Sequence, residues 1–344
     1  MILAGWRKGT TLMTRNFGCR VSDAYSFMKS RLLVMENDKL RISILLDKGS
    51  DIIEFLHKPT DTDFIWRSPL KHADMYKYIQ SIPNHIDFRD YYLGGWQEMF
   101  PVGADGFALT GARIGNHGEL WGLPWNCSII EDTANEVKVK LWTHTIRTPF
   151  YVEKTLTLKS KESALSIHET IANLGQVDLG VMWGHHPAFG EAFLDEHCAV
   201  FAPAKSMIDP AKNRYSWPIH DGQDYSRVLP KNSDQWNMYY LNDLSEGWYA
   251  LINQKKRIGF GLVWDKDIFK YLWFWGCYNY KNISPWYGRA YTIALEPFTS
   301  LPYPVDPETL FTIPAGKSIS TEFKAIVIAG KTSIQGISAE GEVR

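Results

Sequence analysis

The chain reads as an all-β protein, an antiparallel sandwich with a few short helices, on three observations. Apolar and polar residues alternate with a period of two in some runs, turn signals separate the frequent strand-like runs, and helix caps and helical periodicity are scarce. Leu40-Arg41-Ile42-Ser43-Ile44 alternates, the polar run Asp47 to Asp51 supplies a turn, and Ile52 to Leu56 resumes as a strand. Glu136 to Thr143 has a clean period of two. Tyr151 to Leu158 and Ala164 to Ile171 form a further pair around the polar turn Lys159 to Ser163, and Asn173-Leu174-Gly175 ends the second. Later strands are expected over Gly259 to Trp264, Tyr271 to Trp275, Tyr291 to Leu295 and Ser318 to Ile328, and short helices near Asp23 to Met28 and Pro69 to Tyr78. The least regular segment, about Ala204 to Leu244, reads as a long excursion or set of loops of the kind that shapes a binding site.

No proline-rich linker, low-complexity tract or fixed-period repeat divides the chain, so all 344 residues are read as one domain. Hydrophobic residues make up 45%, enough for a large core. The net charge of −1 comes without a basic tract, which argues against nucleic acid or an anionic membrane as partner. The opening Met1 to Lys8 lacks the apolar run of a signal peptide, and no stretch is long and apolar enough for a helical membrane span. Cys19, Cys127, Cys198 and Cys277 are scattered without a CxxC pair, which fits reduced, buried thiols in a cytoplasmic protein. Aromatic residues reach 14% with 14 tryptophans, a high share; much of it must be core, but sugar sites also favour exposed ring faces.

Three short segments carry the chemistry. Glu296 follows Tyr291-Thr292-Ile293-Ala294-Leu295 and precedes Pro297, and alternation puts Thr292, Ala294 and Glu296 on one face. A carboxylate at a sandwich rim, partly desolvated, has its pKa raised toward the range of a general base; the plain alternative is a solvated or ion-paired edge residue. His185 and His186 follow Val181-Met182-Trp183-Gly184, and as neighbours in a strand only one of them faces a given pocket. His-His without an HxH or HxxxH partner gives little reason to expect zinc, and no metal is assigned. His117 sits in Gly115 to Trp125, a loop whose glycines allow sharp turns and whose tryptophans offer stacking faces. Gly94-Gly95-Trp96-Gln97-Glu98-Met99-Phe100-Pro101 has the same character. Neither a GxGxxG or GxxxxGK[ST] phosphate loop nor a GxSxG elbow is present, so nucleotide binding and ordinary serine hydrolysis are not indicated.

These segments resemble the aldose 1-epimerase, or galactose mutarotase-like, superfamily over roughly Leu40 to Ile328, with extension strands before it. His117-Gly118, His186-Pro187-Ala188-Phe189 and Leu295-Glu296-Pro297 match the family's His-Gly, His-Pro and Leu-Glu-Pro segments in order. His117-Gly118 with Leu123-Pro124-Trp125 is similar to the loop of the hexose-6-phosphate mutarotase branch, although Trp121 replaces that branch's arginine and Ala188 the family's tyrosine. The resemblance as a whole is to a little-characterised aldose-1-epimerase-like branch.

The resemblance implies a β-supersandwich and an isomerase of carbohydrate metabolism. Glu296 would be the general base, His186 the general acid at the ring oxygen, and His117 a hydrogen-bonding partner of the ring. Arg89, Gln97, Glu98, Arg113, Trp121, His185 and Trp275 are the candidate substrate-binding residues. Loss of the arginine makes a phosphosugar less suited than a free sugar or sugar acid, and loss of the tyrosine is expected to enlarge the pocket. No cofactor is required for anomer exchange. The expected partner is a monosaccharide or sugar-acid substrate, with a homodimer left open. The competing readings are an epimerase or isomerase acting on a carbon-bound proton, which calls for a metal or cationic cluster, and a non-catalytic sugar-binding or sensing protein.

Overall fold

The computed structural model describes residues 15–70, 88–103, 108–109, 111–302 and 309–344. Among these, two large antiparallel sheets face one another. The first runs, in spatial order, through Arg20–Phe27, Ser30–Glu36, Leu40–Leu45, Ile52–His57, Trp96–Met99, Gly184–Phe189, Tyr291–Phe298, Tyr271–Tyr278, Gln235–Asn242, Ser206–Ile208 and Arg214–Ser216. The second runs through Cys198–Phe201, Trp248–Asn253, Ile258–Trp264, Ser318–Ala329, Ala164–Asn173, Phe150–Lys159, Glu136–His144 and Asn126–Asp132.

Alternation decides what each sheet buries. Val137, Val139 and Leu141 from one strand and Leu156 and Leu158 from the next point inward, and they meet Ile42, Phe55, Phe274 and Leu295 of the first sheet in one continuous core. Phe260 stands at its centre, in edge contact with Phe55, Trp96 and Phe189. Both faces of Tyr291–Phe298 in the first sheet, and of Trp248–Asn253 and Ile258–Trp264 in the second, are buried throughout, so each sheet is covered at these strands on its outer side as well.

Every strand anticipated from alternation is present within a few residues of its expected ends. Three expectations are corrected. Asp23 to Met28 lies mostly in the edge strand Arg20–Phe27, whose outward side chains are exposed, rather than in a helix. Ala204 to Leu244 is irregular only in part: it carries four short strands and ends in Gln235–Asn242, which pairs with Tyr271–Tyr278 inside the main sheet. Cys19, Cys198 and Cys277 are buried free thiols, but Cys127 is only half-buried. The helix expected at Pro69 to Tyr78 falls beyond Leu70 outside the described residues. No helix among the described residues is long and apolar enough to cross a membrane.

Candidate active site

The site is built on one row of side chains across the first sheet. His186 pairs with Gln97 on one side. The flanking pairs Gly184↔Phe298 and Ala188↔Ala294 place it opposite Glu296 on the other. Glu296 pairs in turn with Trp273, and Trp273 with Tyr240. Directly paired residues share a face, so all of these point to the side away from the second sheet. Glu296 is not at a strand end, since its strand continues through Pro297 to Phe298. The carboxylate is 2% exposed and one of its oxygens lies 3.4 Å from His186 Nε2.

The His117 ring reaches the row from a loop. His117 adopts a left-handed backbone (φ 65°), its N–H donates to Asn116 Oδ1, and its imidazole stacks on Phe88 with ring centroids 3.6 Å apart. Gly118 follows at φ 76°, where a Cβ would lie 2.2 Å from the Phe100 carbonyl oxygen, so only glycine fits. The Glu119 carboxylate accepts from the Ile146 and Arg147 N–H groups and Thr148 Oγ1, tying the loop to the second sheet.

Hydrogen bonds behind the two imidazoles set their tautomers. Asp51 Oδ2 accepts from Lys48 Nζ at 2.5 Å and from Gln97 Nε2 at 3.0 Å. That orients the Gln97 carbonyl toward His117 Nδ1, 3.1 Å away. His117 therefore donates from Nδ1, leaving Nε2 as an acceptor for a ligand hydroxyl. It cannot donate to a ring oxygen in this form, which narrows its expected role. His186 Nδ1 lies 3.1 Å from the hydroxyl of Tyr92. A hydroxyl donates to the neutral imidazole and accepts from the charged one, so Nε2 keeps its hydrogen toward Glu296 in both states.

Burial sets the charges. It pushes the Glu296 carboxyl well above the usual range, lowers His186 to about 4, and holds His117 well below the ordinary histidine value, helped by His186, Lys48 and Arg89. The Tyr92 phenol is raised well above 10 by burial and then by Glu296, so it stays protonated. A carboxyl and an imidazole in contact whose affinities for protons are pushed this way hold one exchangeable proton between them.

Around the row lies a cavity of about 480 Å³. Glu296, His186, His117, Arg89 and Trp275 line it, as expected from sequence. Five expected binding residues do not reach its surface. Gln97 is fully buried behind His117. Trp121 backs Phe88 at 6.4 Å between ring centroids. Arg113 is exposed elsewhere, its carbonyl accepting from Arg147. Glu98 and His185, one residue from Gln97 and His186, face the interior between the sheets. There His185 Nε2 meets Glu169 at 2.9 Å, and Glu98 accepts from Lys154 and Trp183. Glu98, Glu169 and His185 bring their ligand atoms within 4.8 Å of one another, but the ammonium of Lys154, 3.2 Å from Glu98, already supplies a cation there.

Ala188 itself does not line the cavity; it is buried in a cluster with Trp66, Tyr92 and Trp286. Sequence reasoning missed Tyr92, Asp51, Lys48 and the wall formed by Trp236, Met238 and Tyr240. The alternation of those last three was the one available signal.

A model of the family described as "Domain of unknown function (DUF4432)" matches residues 29–325. No curated protein matches the chain. Solved structures do. The Slr1438 protein of Synechocystis sp. PCC 6803 is 18% identical, with a TM-score of 0.65 over 89% of this chain and 99% of its own. A Klebsiella pneumoniae protein provisionally named an aldose 1-epimerase is 16% identical, with a TM-score of 0.68 over 90% and 83%. A galactose mutarotase-like protein of Clostridium acetobutylicum is 15% identical, with a TM-score of 0.68 over 91% and 99%. The fold is therefore galactose mutarotase-like.

Proposed function

The chain belongs to the DUF4432 family, and from its fold and its site we propose that it is a cytoplasmic aldose 1-epimerase-like isomerase. It interconverts the anomers of a free sugar or sugar acid by general acid–base ring opening. The observation that carries this reading is the opposition of Glu296 and His186 across 3.4 Å at the wall of a cavity that His117 also lines.

Glu296 as carboxylate takes the proton of the anomeric hydroxyl. The bond from the anomeric carbon to the ring oxygen breaks, and the ring oxygen takes the Nε2 proton of His186. The resulting aldehyde rotates and recloses on its other face, with the two roles reversed. His117 Nε2 accepts from a neighbouring hydroxyl and fixes the ring. Each proton transfer is worth about 10²–10⁴ in rate, and no metal or organic cofactor is required.

The test dissolves single anomers of a broad sugar panel and follows their exchange by NMR; acceleration of none of them overturns the proposal. The pH dependence follows from the shared proton. Below about pH 4 His186 binds a second proton while Glu296 is still protonated, so no base remains. Above the raised pKa of Glu296 the shared proton is gone and His186 is a neutral imidazole, too weak an acid to protonate the ring oxygen. A bell-shaped kcat/KM profile is expected, its acid limb near 4 and its alkaline limb above the ordinary carboxyl range. Tyr92→Phe removes the hydroxyl behind His186 Nδ1 at almost constant shape. It is expected to lower kcat by roughly 10- to 100-fold, the scale of losing an orienting partner behind a functional imidazole, with little change in KM. An unchanged kcat would show that Tyr92 only fills space.

A further inference from the structure

Among the described residues, the charged and strongly polar groups that line the cavity gather at one end. Glu296, His186, His117, Asn116 and Arg89 lie there, whereas the floor beyond them is apolar and aromatic. Its pattern follows the register. Next to the row Glu296–Trp273–Tyr240 runs Ala294–Trp275–Met238, and next to that Thr292–Cys277–Trp236. With strands about 4.8 Å apart, the third strand lies about 10 Å from the Glu296 strand, and four residues along it add about 13 Å. A single pyranose covers about half the first distance. Its hydroxyls radiate from its rim, so a site built for it alone would ring that rim with polar groups. Trp236, at the far end, is 40% exposed, so a ring lying on it keeps its hydroxyl edge in water.

We propose, building on the mutarotase reading, that the site takes the reducing end of a disaccharide or longer glycan. The anomeric carbon lies over the Glu296–His186 pair, on the cavity side, and the second sugar ring lies on the face formed by Trp236 and Met238. Trp236 is thus a residue that sets substrate length.

Calorimetric titration with glucose, galactose, maltose, cellobiose and lactose tests this, alongside anomer exchange of the same five sugars by NMR. At least one disaccharide is expected to bind about tenfold or more tighter than either monosaccharide. Trp236→Ala should cut that ratio by about tenfold, the scale of one stacked ring. The half-exposed position makes the variant safe for folding, which its unfolding midpoint checks. Equal affinity for monosaccharides and disaccharides overturns the proposal, as does a ratio unchanged in the variant. A disaccharide preference without anomer exchange sinks the mutarotase reading and leaves the second subsite standing.

Discussion

Glu296→Gln lowers kcat/KM for anomer exchange by about 10²–10⁴, the value of a general base, while KM stays close to wild type. Glutamine keeps the shape and hydrogen-bonding capacity of the side chain and loses only the ability to accept a proton. Stability separates this outcome from misfolding. The folded carboxyl has a raised pKa, so the wild-type residue favours folding when protonated and opposes it once ionised. The variant carries no such cost, and its thermal midpoint at alkaline pH should equal or exceed that of wild type. Full activity in Glu296→Gln, measured by exchange from a single anomer, removes Glu296 from the mechanism.

The largest stability effect is expected behind the site. Lys154 and Glu169 come from the second sheet, Glu98 and His185 from the first, and all four are buried where the sheets meet. Trp96 Nε1 donates to His185 and Trp183 Nε1 to Glu98, completing the set. Lys154→Met leaves two carboxyls facing each other with one imidazole, and removing one partner of a buried charge pair costs about 3–5 kcal/mol. Chemical denaturation should show a lower midpoint at unchanged slope.

The acid side sharpens the test. Burial pushes the Glu169 carboxyl up, but His185 and then Lys154 outweigh it, so its folded pKa is depressed. Its contribution is present above the unfolded pKa and is lost as pH falls through the folded one. Without Lys154 that loss begins at a higher pH. Adding Glu98→Gln should restore much of the stability, because only one buried carboxylate then remains and His185 Nε2 still lies against it. A cost below about 1 kcal/mol for Lys154→Met would mean that the cluster is held by packing and not by its charges.

Strand positions were legible because alternation is local: Glu136 to Thr143 shows its buried face in eight residues. Glu296, His186 and His117 were legible because glycine or proline beside each leaves a mark in the chain. What stayed hidden depends on register between distant strands. Tyr92 stands two residues before Gly94-Gly95, yet nothing local says that its hydroxyl meets His186. Lys48 and Asp51 looked like turn residues, which they are, and their second role appears only when Gln97 comes alongside. Alternation did warn that His185 and His186 face opposite ways. The same rule applied to Gln97 and Glu98 separates the one that supports the site from the one that braces the core. Trp236, Met238 and Tyr240 alternate too, but the turn-rich residues before them made the whole segment resemble a loop.

Glu296 and His186, the pair proposed to react, stand on adjacent central strands whose spacing is fixed by main-chain hydrogen bonds, whereas the outer aromatic wall comes from a strand reached through an irregular excursion. On the proposed reading, sequence drift in that excursion would retune which glycan is admitted without disturbing the distance over which the proton passes. Relatives sharing the inner constellation should differ in diet far more than in reaction, and grafting one relative's outer strand onto another should transfer preference while conserving turnover.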